Sequence, residues 1–379
     1  MRSIRKMADT LFLFAYLSLP ILLTAQQQIK DESLRDLRKR HRCGTQYLLD
    51  KSYKKNPELR KKVTAEDARI LNARLSQSAT YQARMNATLT VPVVVHIILS
   101  NPSLVTDGQV QEQLNVLNAD FGGKNADSTR IPAAFKSRFG KGRIQFCLAK
   151  RTPFGETTNG IVRVSSTTKS FPGPADPVKY ANKGGSDAWD PTKYLNIWVC
   201  DDSTSEFLGY AYTPSIPLNS VPLEERGLVT QFQCFGKGGT ATAPYNLGRT
   251  AVHEIGHFFN LQHIWGPTNC EPGGDDCTDD DGISDTPKQE GCNYGTPAAS
   301  SIITDQCTTV SPGIMWMNYM DYVDDLAMVM FTPGQNAVME STFSSVQWMQ
   351  GLAASDGCVP TIPQERDVRL VKLNNNHSL

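Results

Sequence analysis

VPVVVHIIL, Val91 to Leu99, is an almost unbroken β-branched apolar run and predicts a buried strand. It marks a change of texture. Before it, residues 26 to about 88 carry short helical patterns, many charges and few large apolar side chains. SLRDLRKRHRCG and AEDARILNARLSQS are candidate helices there, without the makings of an independent core. After it, DGQVQEQLNVLNADF sets Val110, Leu114, Leu117 and Phe121 at helical spacing, with Asp107 as N-cap candidate. GRIQFCLAK, LNIWVCD, LGYAYTP and GLVTQFQCFG predict four further strands, and the Pro of LGYAYTP suits an edge or an end. A helix from about Leu247 to Asn260 follows a Gly-rich turn. Strands mixed with two helices imply an α/β layer with the helices on one face. After His263 periodicity fades. Residues 264 to 320 hold four Cys with many Asp and Gly, and helical pattern returns with PGQNAVMESTFSSV after Thr332.

Two properties outside the pattern change the picture. The first 25 residues read as a signal peptide: Arg2, Arg5 and Lys6 precede an apolar run from Leu11 to Leu23, and Ala25 closes it. The run is shorter than the ~20 residues a spanning helix needs, so secretion is expected, with an uncleaved anchor as the alternative. The 379 residues balance 38 Lys+Arg against 38 Asp+Glu, so nothing points to nucleic acid, or to a membrane once the signal is removed. Export permits disulfides among the nine Cys. Cys43 lies apart in the basic N-terminal stretch, and the other eight allow four bridges; Cys147 and Cys200, both ending strands, are candidates to pair.

HEIGHFFNLQH, residues 253 to 263, carries the chemistry. On a helix His253 and His257 share a face and reach one ion. His263 supplies a third ligand if the chain turns back near Asn260, where Asn tolerates the positive φ such a turn needs. Three protein ligands leave a catalytic zinc an open position. Glu254 projects beside it, placed to take a proton from zinc-activated water and pass it to a leaving amine. A helix with merely satisfied histidines is the bland alternative, yet three of the chain's six His fall in this window. A dead binding module would be expected to lose Glu254 or a ligand, and a structural zinc site commonly closes with four Cys or His.

MWMNYMDY, residues 315 to 322, resembles the Met-containing turn of the metzincin clan, with Met320 beneath the zinc and Tyr322 as a fifth ligand or a donor to the tetrahedral intermediate. Together with HEIGHFFNLQHIWG, DDCTDDDGISDTPKQ and MNYMDYVDDLAMVMFTPGQ it resembles the pappalysin family of that clan. The likeness implies an α+β fold. Its upper subdomain (88–263) holds a five-stranded twisted sheet, a backing helix and the active-site helix; its lower subdomain (264–362) is irregular. LGYAYTP would be the cleft-edge strand, taking extended protein or peptide substrates by strand addition. The resemblance further implies calcium in the acidic loop, for which Asp280, Asp281, Asp285 and Thr286 are the candidate ligands, and the bridges Cys270–Cys292 and Cys277–Cys307. It implies a preference for Arg after the scissile bond, with Asp324 or Asp325 at the base of that pocket. Residues 26–87 would be a pro-segment in which Cys43 takes the open zinc position. Arg40, His41 and Arg42 would favour its thiolate, and Gly44 would let the backbone pass close to the metal. A disulfide from Cys43 is the alternative. Ala73-Arg74 and Ala83-Arg84 offer self-cleavage sites, and 363–379 is left as a polar tail.

Overall fold

The computed structural model describes residues 41–73, 87–201, 206–267, 270 and 277–361. The signal peptide, the tail, Asp275 and Asp276, and the stretch 74–86 lie outside them. In chain order the main elements are β1 (His41–Cys43), α1 (Thr45–Lys55), α2 (Pro57–Ala73), β2 (Leu89–Leu99), α3 (Asp107–Phe121), β3 (Ile144–Leu148), β4 (Ile161–Ser165), β5 (Leu195–Cys200), β6 (Phe207–Ala211), β7 (Leu228–Gln231), α4 (Arg249–Phe258) and α5 (Pro333–Ser345).

The sheet runs β1-β6-β7-β5-β2-β3, with β4 also on β2. Among the strands of the described residues, only β6–β7 pair antiparallel. Seven strands stand where five were expected. β4 was missed because its short run is half exposed. β1 was missed because three polar or small residues, HRC, carry no alternation of their own; they are a strand only because β6 offers an edge. β6 is therefore not the open edge of this chain.

β2 is central and buried on both faces, which is why it reads as a continuous apolar run. Val95, Ile97, Ile197 and Val199 face α3 and α4 in the main core. Ile98, Trp198, Tyr210 and Val229 point the other way and meet Leu48, Leu59 and Val63 of α1 and α2. Thr106, not Asp107, caps α3. Thr332 caps α5 in a full capping box with Gln335.

Disulfides join Cys147–Cys358, Cys270–Cys292 and Cys277–Cys307. The Cys147–Cys200 pairing is corrected by register. Cys147 lies beside Pro92 on one flank of β2 and Cys200 beside Ile98 on the other. That is ~20 Å along the strand at about 3.3 Å per residue, beyond any disulfide. Among the described residues no helix is long and apolar enough to cross a membrane.

Candidate metal centre and cleft

All ten residues of α4 are buried. Its N-terminus has no side-chain cap of its own, since Gly248 precedes it in the left-handed region. Asp325 does the capping from afar: its Oδ2 accepts from the backbone N–H of Leu247 at 2.8 Å and of Arg249 at 3.2 Å. The helix ends at Phe258, and two residues on Asn260 has a φ of +67°. Leu261 N–H then returns to the Gly256 carbonyl at 2.9 Å, which turns the chain back towards the helix.

That turn brings His263 onto the face of His253 and His257. The Nε2 atoms of His253 and His263 lie 3.2 and 3.1 Å from that of His257. Two of the other nitrogens are committed: His253 Nδ1 to the Tyr319 carbonyl and His257 Nδ1 to the Leu261 carbonyl, each at 2.7 Å. Carbonyls only accept, so Nδ1–H donates and the Nε2 lone pairs are left to point inward. Burial holds His257 down at about 4 and the other two well below their usual range, with the neighbouring imidazoles adding to it. Three neutral imidazoles converging on one point could hold a metal ion, with the carbonyls as the outer partners that orient them. Cys43 Sγ completes the group; its ligand atom and those of the three His all lie within 4.8 Å of one another. Nitrogen and sulfur donors of this kind suit zinc.

Glu254 lies beside this group. Its Oε2 meets Cys43 Sγ at 3.5 Å and the Thr45 hydroxyl at 3.2 Å, while Oε1 is buried without a partner. Burial pushes its carboxyl up to about 8. Tyr322 OH lies 3.1 Å from His263 Nε2. Met320 lies under the helix: its Sδ is 2.5 Å from where a Cβ on Gly256 would stand, so the turn fits only because residue 256 is Gly.

Arg42 corrects one expectation. It does not favour a Cys43 thiolate, because its guanidinium leaves for Asp325: Nη2 donates to Oδ1 at 2.7 Å and Nη1 to the Val323 carbonyl at 2.9 Å. Burial and the Glu254 charge instead push the Cys43 thiol up. Of the two pocket candidates, Asp325 meets the guanidinium and Asp324 accepts from Thr296 at 2.8 Å. A Cβ on Gly44 would stand 3.1 Å from the Phe207 ring and 3.3 Å from Tyr210 Cβ, so the glycine lets the chain beside Cys43 lie close against β6.

The acidic loop is divided. Asp285 accepts from Thr332 at 2.7 Å and from Gly334 N–H at 2.8 Å, at the start of α5. Asp280 accepts from Gly282 N–H. Asp281 accepts from Ile283 N–H and from the Thr286 hydroxyl on Oδ1, and its Oδ2 is buried without a partner.

Sequence reasoning missed three contributors. Thr45 brackets Ala211, its hydroxyl 3.0 Å from both the N–H and the carbonyl. Tyr245 lies with its ring 5.3 Å from the Arg42 guanidinium. Trp265 stacks on His263 at 4.5 Å. Only Trp265 carried a signal, standing two residues past a ligand.

Residues 180–344 match the family model described as pregnancy-associated plasma protein-A, peptidase family M43. An extracellular metalloprotease of Pyricularia oryzae is 30% identical over 284 residues, 73% of this chain and 82% of the relative. Among solved structures, promirolysin of Tannerella forsythia is 38% identical with a TM-score of 0.74, covering 85% of this chain and 100% of that one. Mature mirolysin of the same organism, with a cleaved peptide, is 41% identical with a TM-score of 0.66, covering 73% of this chain and 99% of that one. With its buried His-Glu-His helix and this likeness along most of its length, the chain belongs to the pappalysin family of metalloproteases.

Proposed function

We propose that this is a secreted zinc endopeptidase made as a latent zymogen, residues 26–87 being its pro-segment. The observation that carries the reading is the convergence of Cys43 with His253, His257 and His263 beside Glu254. A chain segment that places its own thiol among the metal ligands blocks the position a substrate needs. Promirolysin also matches more of this chain than mature mirolysin does, in keeping with an added segment.

His253, His257 and His263 would hold zinc, which when bound polarises the scissile carbonyl and acidifies water. Glu254, within reach of the same point, takes the proton of the attacking water and delivers it to the leaving amine. Tyr322 OH, beside His263, is placed to donate to the developing oxyanion. Met320 supports the floor of the site. Once β1 leaves, β6 offers its edge to an extended peptide, and the Ala211 groups that Thr45 now occupies are freed.

The same reading gives Arg after the scissile bond. Arg42 serves as stand-in: one guanidinium nitrogen on Asp325, the other on Val323, a fork that Lys does not span. Calcium in the acidic loop rests on the Asp281 oxygen that nothing in the described chain satisfies. Maturation would cut within 74–86 or at Ala73-Arg74.

Cys43→Ala in the otherwise intact chain is the test. It should mature faster or cleave casein before maturing, with zinc retained by elemental analysis. A variant as latent as the parent over the same time course removes Cys43 from the metal.

A further inference from the structure

The two imidazoles of α4 take their outer partners from different distances. His257 Nδ1 donates to the carbonyl of Leu261, four residues on, which the turn at Asn260 sets locally. His253 Nδ1 donates to the carbonyl of Tyr319, 66 positions away. The place of Tyr319 is a tertiary matter. The orientation of His253 therefore depends on what braces the chain around residue 319 against the helix.

That brace starts from the helix itself. Arg249 is the first residue of α4 and stands one turn before His253, so the two side chains share a face. It is buried. Nη1 meets Asp120 Oδ2 of α3 at 2.8 Å, Nη2 meets Asp127 Oδ2 at 2.6 Å, and Nε donates to the Met328 carbonyl at 3.2 Å. The same guanidinium lies 5.4 Å from the centre of the Tyr319 ring. The next two carbonyls are also engaged. Val329 accepts from Asn125 Nδ2 at 3.0 Å, and Met330 accepts from the Tyr319 N–H at 2.9 Å. Residue 319 is thus held by its ring at Arg249 and by its N–H at Met330, while its carbonyl meets His253.

Stability alone is a poor reason for this arginine. A cation is disfavoured at a helix N-terminus. A buried ion pair is often no more stabilising than apolar side chains of similar volume. An apolar residue, however, could not join two carboxylates and a carbonyl, and the ammonium of Lys is a single point where Arg offers a rigid fork.

Resting on the metal-site reading above, we infer that Arg249 is a positioning residue for the metal centre: through Tyr319 it holds the carbonyl that sets the tautomer and angle of His253, and it has no such hold on His257. It acts through Tyr319 and not on the reacting atoms.

The test uses the full chain carrying Glu254→Ala, so that self-cleavage does not intervene, both zinc-loaded and metal-free. The readout is solvent exchange of the two imidazole Nδ1–H protons by NMR, with His257 as the internal reference. Arg249→Lys keeps a cation for Asp120 and Asp127 and gives up the fork. Exchange at His253 should rise roughly tenfold, the lower end of what losing an outer partner does to a metal site, while His257 stays as in the parent. Zinc should pass to a chelator faster by a similar factor. Should Arg249→Lys fail to fold, Asp127→Asn decides the question. Asp127 is partly exposed, and its loss of charge weakens one arm of the fork, so His253 alone should move, in the same direction and by less. A rise at both imidazoles together is general loosening and overturns the proposal, as does no rise at His253. A chain that takes up no zinc would sink the metal reading, while the two imidazoles of the metal-free chain still decide this one.

Discussion

Residues 89–263 and residues 264–361 solve the same problem by different means. The first half saturates its backbone within strands and helices and buries Val, Ile and Leu between layers. Among its described residues the second half has one long helix, and several of its loop N–H groups go to carboxylates where strands and helices would supply carbonyls. Asp305 accepts from the N–H groups of Glu290, Cys307 and Thr308. Asp321 takes those of Asn293 and Tyr322. Asp325 reaches across to cap α4 in the other half. Two disulfides hold the rest. An acidic, aperiodic stretch is thus a backbone-satisfying device as well as a candidate ion site, and its carboxylates must be assigned one at a time. On the function proposed above the division extends to chemistry: the layered half would provide the metal-binding helix and the general base Glu254, the looped half the pocket carboxylate.

The largest expected effect lies in the layered half. Glu254→Ala should lower turnover by ~10²–10⁴-fold or more while zinc content and melting temperature stay near the parent's. Near-normal turnover would remove the general base and with it the division of labour.

Next comes Asp325. Asp325→Asn keeps an acceptor for the α4 N-terminus and loses the charge facing the guanidinium. kcat/KM on peptides with Arg after the scissile bond should fall ~10–10²-fold, from a charge-assisted bond of ~1.5–3 kcal/mol, with little change for apolar residues there. Asp324→Asn should leave both unchanged. Equal losses from the two variants would place the pocket elsewhere.

Smaller still, replacing Cys277 and Cys307 by Ser should cost ~2–4 kcal/mol for a closure of sequence separation 30. Protection should be lost in 277–332 before the sheet, as read by hydrogen exchange. Simultaneous loss in both halves would mean that they are one cooperative unit. Chelation with a calcium-selective agent should lower the melting temperature, again from the looped half first. No shift, with calcium absent by elemental analysis, leaves the acidic loop to its hydrogen bonds alone. Asp285→Ala, removing the acceptor at the start of α5, should cost ~1 kcal/mol.

Most of the layered half was legible in its pattern. β2, β3, β5, β6, β7 and α3 follow directly from short apolar runs or helical spacing, because a strand buried on both faces is apolar throughout and a helix buried on one face repeats its apolar positions. The metal helix and Asn260 were legible too, since their spacing and backbone demands are local. His96 shows the limit of residue type: it is as buried as His253, but Ser186 and Asn196 occupy its two nitrogens at 2.8 and 3.0 Å.

What the sequence determined by itself was whatever lies within a few residues: most of the strands, the i,i+4 histidines, the turn at Asn260, the helix that starts after Thr332. What only the tertiary structure decided was every relation whose two sides lie far apart in the chain. Arg42 was a basic residue in a basic stretch until the fold set it on Asp325, 283 positions away. Cys147 was one of eight equivalent thiols until the register of β2 excluded Cys200 and the chain end supplied Cys358. β1 has no strand pattern at all and exists because β6 presents unpaired backbone groups beside it. Local periodicity records which face of an element is buried. It carries no record of which distant partner does the burying, because loop closure brings many alternatives together at similar entropic cost and packing alone selects among them.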